Sequence, residues 1–190
     1  MTLKHLIRRA LMLAALSAVA FGAQADTLDK IRADKKIRVS IDLAVPPSGM
    51  TDANMKPTGS DYDVAVLLAK DLGVALEVVP TVGATRIPNL QTGKADIIIS
   101  TLAWTPERAK VIDYSIPYAP QISLVGGIKS ANVKSMADLA GKSVAVNRST
   151  TQDTDLTQNA KGATVVRYDD DAGVITAVVT GQADLVGTSN

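Results

Sequence analysis

The chain has 190 residues, 20 of them basic and 19 acidic, so it offers no basic footprint for nucleic acid. It has no cysteine, and its one histidine, His5, lies within the first twenty-five residues. Downstream of that point Ser-His and Cys-His nucleophile pairs and the usual zinc sites are excluded, and no disulfide contributes to stability.

Taken in chain order, Lys4, Arg8 and Arg9 make a basic start, Ala10 to Phe21 is an uncharged apolar run, and Ala23-Gln24-Ala25 places small residues before a cut. That layout predicts a secretory leader over residues 1–25. The apolar run is short for a bilayer, which makes an uncleaved anchor the weaker alternative, and no cysteine follows to carry lipid. A mature chain starting at Asp26 holds 17 basic and 19 acidic residues, a net charge of −2. It contains no second apolar run of about twenty residues that could cross a membrane.

From Ile37 on, short β-branched runs alternate with helical patterns, the mark of an α/β fold with a largely parallel sheet. Strands are expected near Ile37 to Asp42, Ala75 to Pro80, Ala95 to Thr101, Ile122 to Gly126, Ser143 to Asn147, Thr164 to Tyr168 and Ala183 to Gly187. Between the first two, Val64, Leu67, Leu68 and Leu72 recur at helical spacing. Ser60 and Asp63 read as its N-cap and N3 partner, Gly73 as its stop, and Asp61, Asp63 and Asp71 as a solvated acidic face. The pattern breaks at Ala119-Pro120-Gln121, and a second series follows with helices over Thr150 to Asn159 and Asp170 to Thr180, the latter ended by Gly181. Two lobes, 26–118 and 119–190, account for this better than one sheet. The second is expected to be incomplete, since the chain stops straight after a strand.

Ligands of open α/β sheets gather beyond the carboxyl ends of strands. Those ends fall at Asp42 to Pro47, Ser100 to Trp104, Asn147 to Thr151 and Gly187 to Asn190. After the second comes Thr105-Pro106-Glu107-Arg108, a capping residue, an N1 proline and a cation in a first turn, where it opposes the helix dipole. An incoming anion would reconcile that, and a guanidinium grips a carboxylate with two parallel hydrogen bonds; a surface ion pair with Glu107 or Asp113 is the alternative. At the third end Ser149, Thr150 and Thr151 enter a helix whose free N–H groups can hold an anion, with ordinary capping by Ser149 or Thr150 as the alternative. No Gly-x-Gly-x-x-Gly or Walker-type loop is present, which argues against a nucleotide.

Three groups of residues together resemble the bacterial periplasmic solute-binding proteins of the polar amino acid class, partners of ABC importers. They are Gly59-Ser60-Asp61-Tyr62-Asp63-Val64 with Ala69-Lys70-Asp71-Leu72-Gly73-Val74; Leu90-Gln91-Thr92-Gly93-Lys94-Ala95-Asp96 with Thr105-Pro106-Glu107-Arg108 and Asp113-Tyr114-Ser115-Ile116-Pro117-Tyr118; and Asp138-Leu139-Ala140-Gly141-Lys142 with Ser149-Thr150-Thr151-Gln152. The resemblance implies a two-lobed, type II periplasmic-binding-protein-like fold that closes on its solute, with the return to the first lobe missing after residue 190. It implies a periplasmic protein that is not an enzyme, has no cofactor or metal, acts as a monomer and meets transporter membrane subunits. By position Arg108 would hold a solute carboxylate with the Thr151 backbone, and Thr101 would line the ammonium side.

Several positions depart from the family pattern. Val45 stands where an aromatic covers the solute, Ala103 where a serine is usual, Ser189 where an aspartate meets the ammonium, and Ser60 where an aromatic is common. Trp104 could supply a wall, although an aromatic beside a strand end is more often core. Either Asp42 takes the ammonium, with Asn190 as a further acceptor, or the solute has no ammonium there. The competing expectations are a periplasmic dehydratase of prephenate-like substrates, with Asp42 and Glu107 as its available carboxylates, and a receptor's sensor module.

Overall fold

The computed structural model describes residues 26–128 and 131–189, so the expected leader and the Asn190 amide lie outside the described residues. Helix α1 (Thr27–Asp34) leads in with Asp26 as its cap, the carboxylate accepting from the Leu28 N–H. Strand β1 (Lys36–Ile41) follows, then a short antiparallel pair, β2 (Met50–Thr51) and β3 (Pro57–Thr58). Helix α2 (Ser60–Leu72) stops at Gly73, whose φ of 67° is the left-handed turn that glycine takes without a Cβ penalty. Strand β4 (Ala75–Pro80), helix α3 (Arg86–Gln91) and strand β5 (Ile97–Ile98) complete the first sheet, ordered β4-β1-β5 and parallel throughout. On central β1, Ile37, Val39 and Ile41 alternate onto one buried face and pack against Ala65 and Ala69 of α2. Each such aliphatic residue stabilises the lobe by roughly 1.5–3 kcal/mol, and the alanines, four apart, keep the helix close to the strands.

The second sheet is built from β6 (Ser123–Gly127), β7 (Ser143–Asn147), β8 (Thr164–Tyr168) and β9 (Leu185–Ser189), in the order β6-β9-β7-β8. Helices α4 (Thr151–Asn159) and α5 (Asp171–Val179) cover its two faces. Central β7 is therefore buried on both sides: Val144 and Val146 meet Leu156 of α4, while Ala145 meets Val174 and Ala177 of α5. Its pairings with β8 and β9 are parallel and only edge strand β6 runs antiparallel, to β9, so the sheet is largely parallel, as expected.

Four local expectations need correction. Gly59, not Ser60, is the N-cap of α2, and no side chain caps that end. Asp63 and Asp71 are exposed, but Asp61 turns inward and is 3 % exposed. The strand expected over Ala95 to Thr101 shrinks to two residues, because Ser100 turns its hydroxyl to the Asp42 N–H and Thr101 adopts a φ of 45°, which no ladder accommodates. The last strand starts later than expected, since Asp184 spends its carboxylate on the Ser143 N–H and hydroxyl at 2.7 Å each.

Candidate functional site

The carboxyl ends of β1 and β5 meet α3 in a buried polar cluster. Asp42, 2 % exposed, accepts from Arg86 Nη2 at 2.9 Å and from the Ala44 N–H at 3.1 Å. Arg86 is 5 % exposed, and its Nε has no partner. Like Arg108, it is a cation in a helix's first turn, and here the offsetting anion is the Asp42 carboxylate across the strand ends.

Thr101 is a β-branched residue at positive φ, a strained conformation that its surroundings must impose. Asp61 imposes it. Its Oδ2 accepts the Thr101 N–H at 2.9 Å, and its Oδ1 accepts the Tyr118 hydroxyl at 2.8 Å. Burial pushes the Asp61 carboxyl above its ordinary value despite those two donors, and burial together with Asp61 raises the Tyr118 hydroxyl. The second lobe repeats the device: Ser149 has a φ of 63°, and its N–H donates to Asp153 Oδ2 at 3.1 Å. Thr150 caps α4 by accepting the Asp153 N–H at 3.2 Å, as the sequence suggested for this position.

Arg108 begins a three-residue 3-10 turn (Arg108–Lys110) rather than a full helix, so the opposing dipole is smaller than expected. Glu107, not Thr105, is the N-cap of the turn, although the Thr105 hydroxyl still accepts the Arg108 N–H at 3.2 Å. The guanidinium makes no ion pair with Glu107 or Asp113 among the described residues. It donates to the Ala103 carbonyl at 2.8 Å and to the Ser149 carbonyl at 2.9 Å, bridging the two lobes through neutral acceptors. Burial, partly offset by Tyr114, draws the Arg108 pKa below its ordinary value, and like-charge Arg86 adds to this.

Between the lobes lies a narrow, polar cleft. Val45, Arg86 and Thr101 line one side, and Gln121, at the entry to the second lobe, lies beside Ser189. Thr150, Thr151, Asn147 and Asp171 face them from the other lobe, with Ser189 at the end of β9. Asn147 Nδ2 donates to Asp171 Oδ2 at 2.9 Å, while Asn147 Oδ1 is buried without a partner. Burial pushes the Asp171 carboxyl above its ordinary value; Asn147 opposes this and Asp42 adds to it. Gly83 seals one edge, for a Cβ placed there would lie 2.7 Å from the Arg148 carbonyl oxygen and 2.9 Å from Asn147 Oδ1.

Of the residues singled out from sequence, Thr101, Thr150, Thr151 and Ser189 line this cleft, and Arg108 and Ser149 are joined beside it. Asp42 sits behind Arg86 and does not line it. Ala103 and Trp104 border a larger hollow with Tyr114 and Tyr118, and Trp104, 61 % exposed, is not core. Sequence reasoning passed over Arg86, Asn147 and Asp171. Arg86 carried the same signal as Arg108, a cation in a first turn, whereas an acidic residue at a helix start, as Asp171 is, carries none.

Two α/β lobes meeting across a polar cleft, at the carboxyl ends of their strands, define a two-lobed solute-binding protein of the type II periplasmic class. Residues 37–174 match the bacterial extracellular solute-binding proteins, family 3, and the chain belongs to that family. It is 31 % identical to the L-cystine-binding protein TcyJ of Escherichia coli (strain K12), over 98 % of this chain and 73 % of that protein. It is 28 % identical to the cyclohexadienyl dehydratase of Pseudomonas aeruginosa, over 97 % of this chain and 70 % of the enzyme. The crystal structure of the ancestral amino acid-binding protein AncCDT-1, a precursor of cyclohexadienyl dehydratase, matches with a TM-score of 0.82 at 37 % identity, over 86 % of this chain and 74 % of that one. Among the described residues no helix is long and apolar enough to cross a membrane, and no cluster of side chains has the makings of a metal site.

Proposed function

We propose that this protein binds an amino acid, or a small carboxylate related to one, between its lobes and serves an ABC importer as its substrate-binding component. In this reading residues 1–25 direct export to the periplasm, 26–118 and 119–190 belong to the two lobes, and the protein works as a monomer without catalysis. The observation that carries it is Arg108, a half-buried guanidinium that reaches carbonyls on both lobes and has no carboxylate partner among the described residues. Its charge is left for an anion seated against the Ser149-Thr150-Thr151 turn, where the first N–H groups of α4 lack acceptors within the helix. The names of TcyJ and AncCDT-1, an L-cystine-binding and an amino acid-binding protein, support the same solute class.

Titration calorimetry of the purified protein against the standard L-amino acids, L-cystine and the 2-deamino analogues of the amino acids tests this. Saturable binding of one or a few is expected, and absence of heat with every one overturns it. The second reading, a dehydratase, draws on the Pseudomonas aeruginosa enzyme and on Asp171, a carboxyl at the cleft that burial inclines to keep its proton. Of the two carboxylates weighed from sequence, Asp42 is tied to Arg86 and Glu107 is exposed on the outer turn. Incubation with prephenate separates the two readings: no turnover is expected, and turnover would establish the enzyme.

A further inference from the structure

The charges around the cleft do not all cancel. Arg86 is paired with Asp42, Arg148 with Asp169 and Arg167 with Asp153. Among the charged side chains that line or bridge the cleft, two make no ion pair: Arg108, which donates to two neutral carbonyls, and Asp171, which accepts from the neutral Asn147 amide. Asn147 is 2 % exposed, lines the cleft and keeps an acceptor, Oδ1, that nothing satisfies. A buried amide oxygen beside an uncompensated carboxylate is a receptor for a cation that donates hydrogen bonds. The two unpaired charges are held by near neighbours in the chain, since Asn147 donates to Asp171 and the carbonyl of Ser149, two residues on, accepts from Arg108. Positions two apart lie within about 7 Å of one another along the backbone, which suits a single small molecule.

Resting on the solute class proposed above, we infer that Asp171, supported by Asn147, receives the α-ammonium of the solute, which is therefore a zwitterion with its carboxylate toward Arg108. Ser189 lines the same cleft but brings no charge, and its hydroxyl already receives Gln121 Nε2 at 3.2 Å. Asp42 is shut off behind Arg86. The other charges bearing on Asp171 are Arg86, which favours its ionised form, and Asp42 and Asp170, which oppose it. An incoming ammonium relieves that opposition.

The test uses the standard L-amino acids, each beside its 2-deamino analogue, with the purified protein and its Asp171→Asn and Asp171→Glu variants. The unaltered protein should prefer its amino acid to the analogue. Asp171→Asn should weaken the amino acid by about tenfold or more while leaving the analogue as it was, because only the ammonium loses a partner. Asp171→Glu, which keeps the charge, should retain the preference. Unaltered affinity of Asp171→Asn for the amino acid, at an unchanged melting temperature, overturns the inference alone. Binding of an analogue but of no amino acid overturns the inference alone, and failure of the unaltered protein to bind any member of the panel overturns the proposed function with it.

Discussion

Asp61 and Thr101, forty residues apart, are tied by one hydrogen bond of 2.9 Å that holds a β-branched residue at positive φ on the wall of the cleft. The start of α2 thereby sets the shape of the binding surface without reaching it.

Asp61→Ala is expected to lower stability by roughly 1–3 kcal/mol, the usual penalty for leaving a buried donor unmet, and to weaken solute binding as Thr101 relaxes. Asp61→Asn, which still offers an oxygen, should be milder and should show a distinct pH signature. The folded pKa of Asp61 is raised, so its contribution to stability is fullest below the ordinary carboxylate pKa and is lost as pH rises through the folded value. Urea denaturation at stepped pH should show that decline in the unaltered protein and not in Asp61→Asn.

Asp96 should give the opposite slope. Burial alone would raise its carboxyl, but the side-chain and backbone hydrogen bonds from Arg38 prevail and hold it below its ordinary value. Its stabilisation is present above the unfolded pKa and is lost as pH falls through the folded one. In Asp96→Asn, acid denaturation should begin from a lower plateau and change less steeply with pH.

The Arg86–Asp42 pair is buried on both sides, so removing one partner strands the other. Asp42→Ala is expected to cost about 3–5 kcal/mol, far more than an exposed pair such as Lys36–Glu77 would. Midpoints of urea unfolding for Asp42→Ala and Glu77→Ala compare the two directly.

Arg108→Ala removes a charged donor expected to face the solute carboxylate. A charge-assisted hydrogen bond contributes roughly 1.5–3 kcal/mol, so calorimetry should record at least a tenfold loss of affinity with circular dichroism unchanged. Equal affinity would remove Arg108 from the site.

Gly83→Ala would place a methyl group 2.7 Å from the Arg148 carbonyl oxygen, which is main chain and cannot swing aside. The variant should hold its lobes further apart. Small-angle scattering at saturating solute should then give a larger radius of gyration than for the unaltered protein, with the melting temperature of the free protein little changed.

Much of the fold was legible because its strands obey local rules. Ala75–Pro80, Ser143–Asn147 and Thr164–Tyr168 appear where β-branched runs bounded by turn residues put them. The two strand ends that carry site residues were read less well. β5 is cut short and β9 begins late because side chains from distant segments, Asp61 to Thr101 and Asp184 to Ser143, take over backbone groups. At the site, Arg108 announced itself by a locally unfavourable position, and the structure supplies its two carbonyl partners. Asp171 gave no such sign, since an acidic residue suits a helix start. Only the fold, by bringing it beside Asn147 and the cleft, makes its lack of a cation visible.

The contacts that draw the lobes together end on main-chain atoms: Arg108 on the carbonyls of Ala103 and Ser149, and Gly83 against the carbonyl of Arg148. Substitution leaves a carbonyl oxygen in place. Val45, Asp171 and Ser189, by contrast, meet the cleft through side chains. The fold thus separates two inheritances: the acceptors of the grip between lobes persist through mutation, while the choice of cargo can be rewritten one side chain at a time.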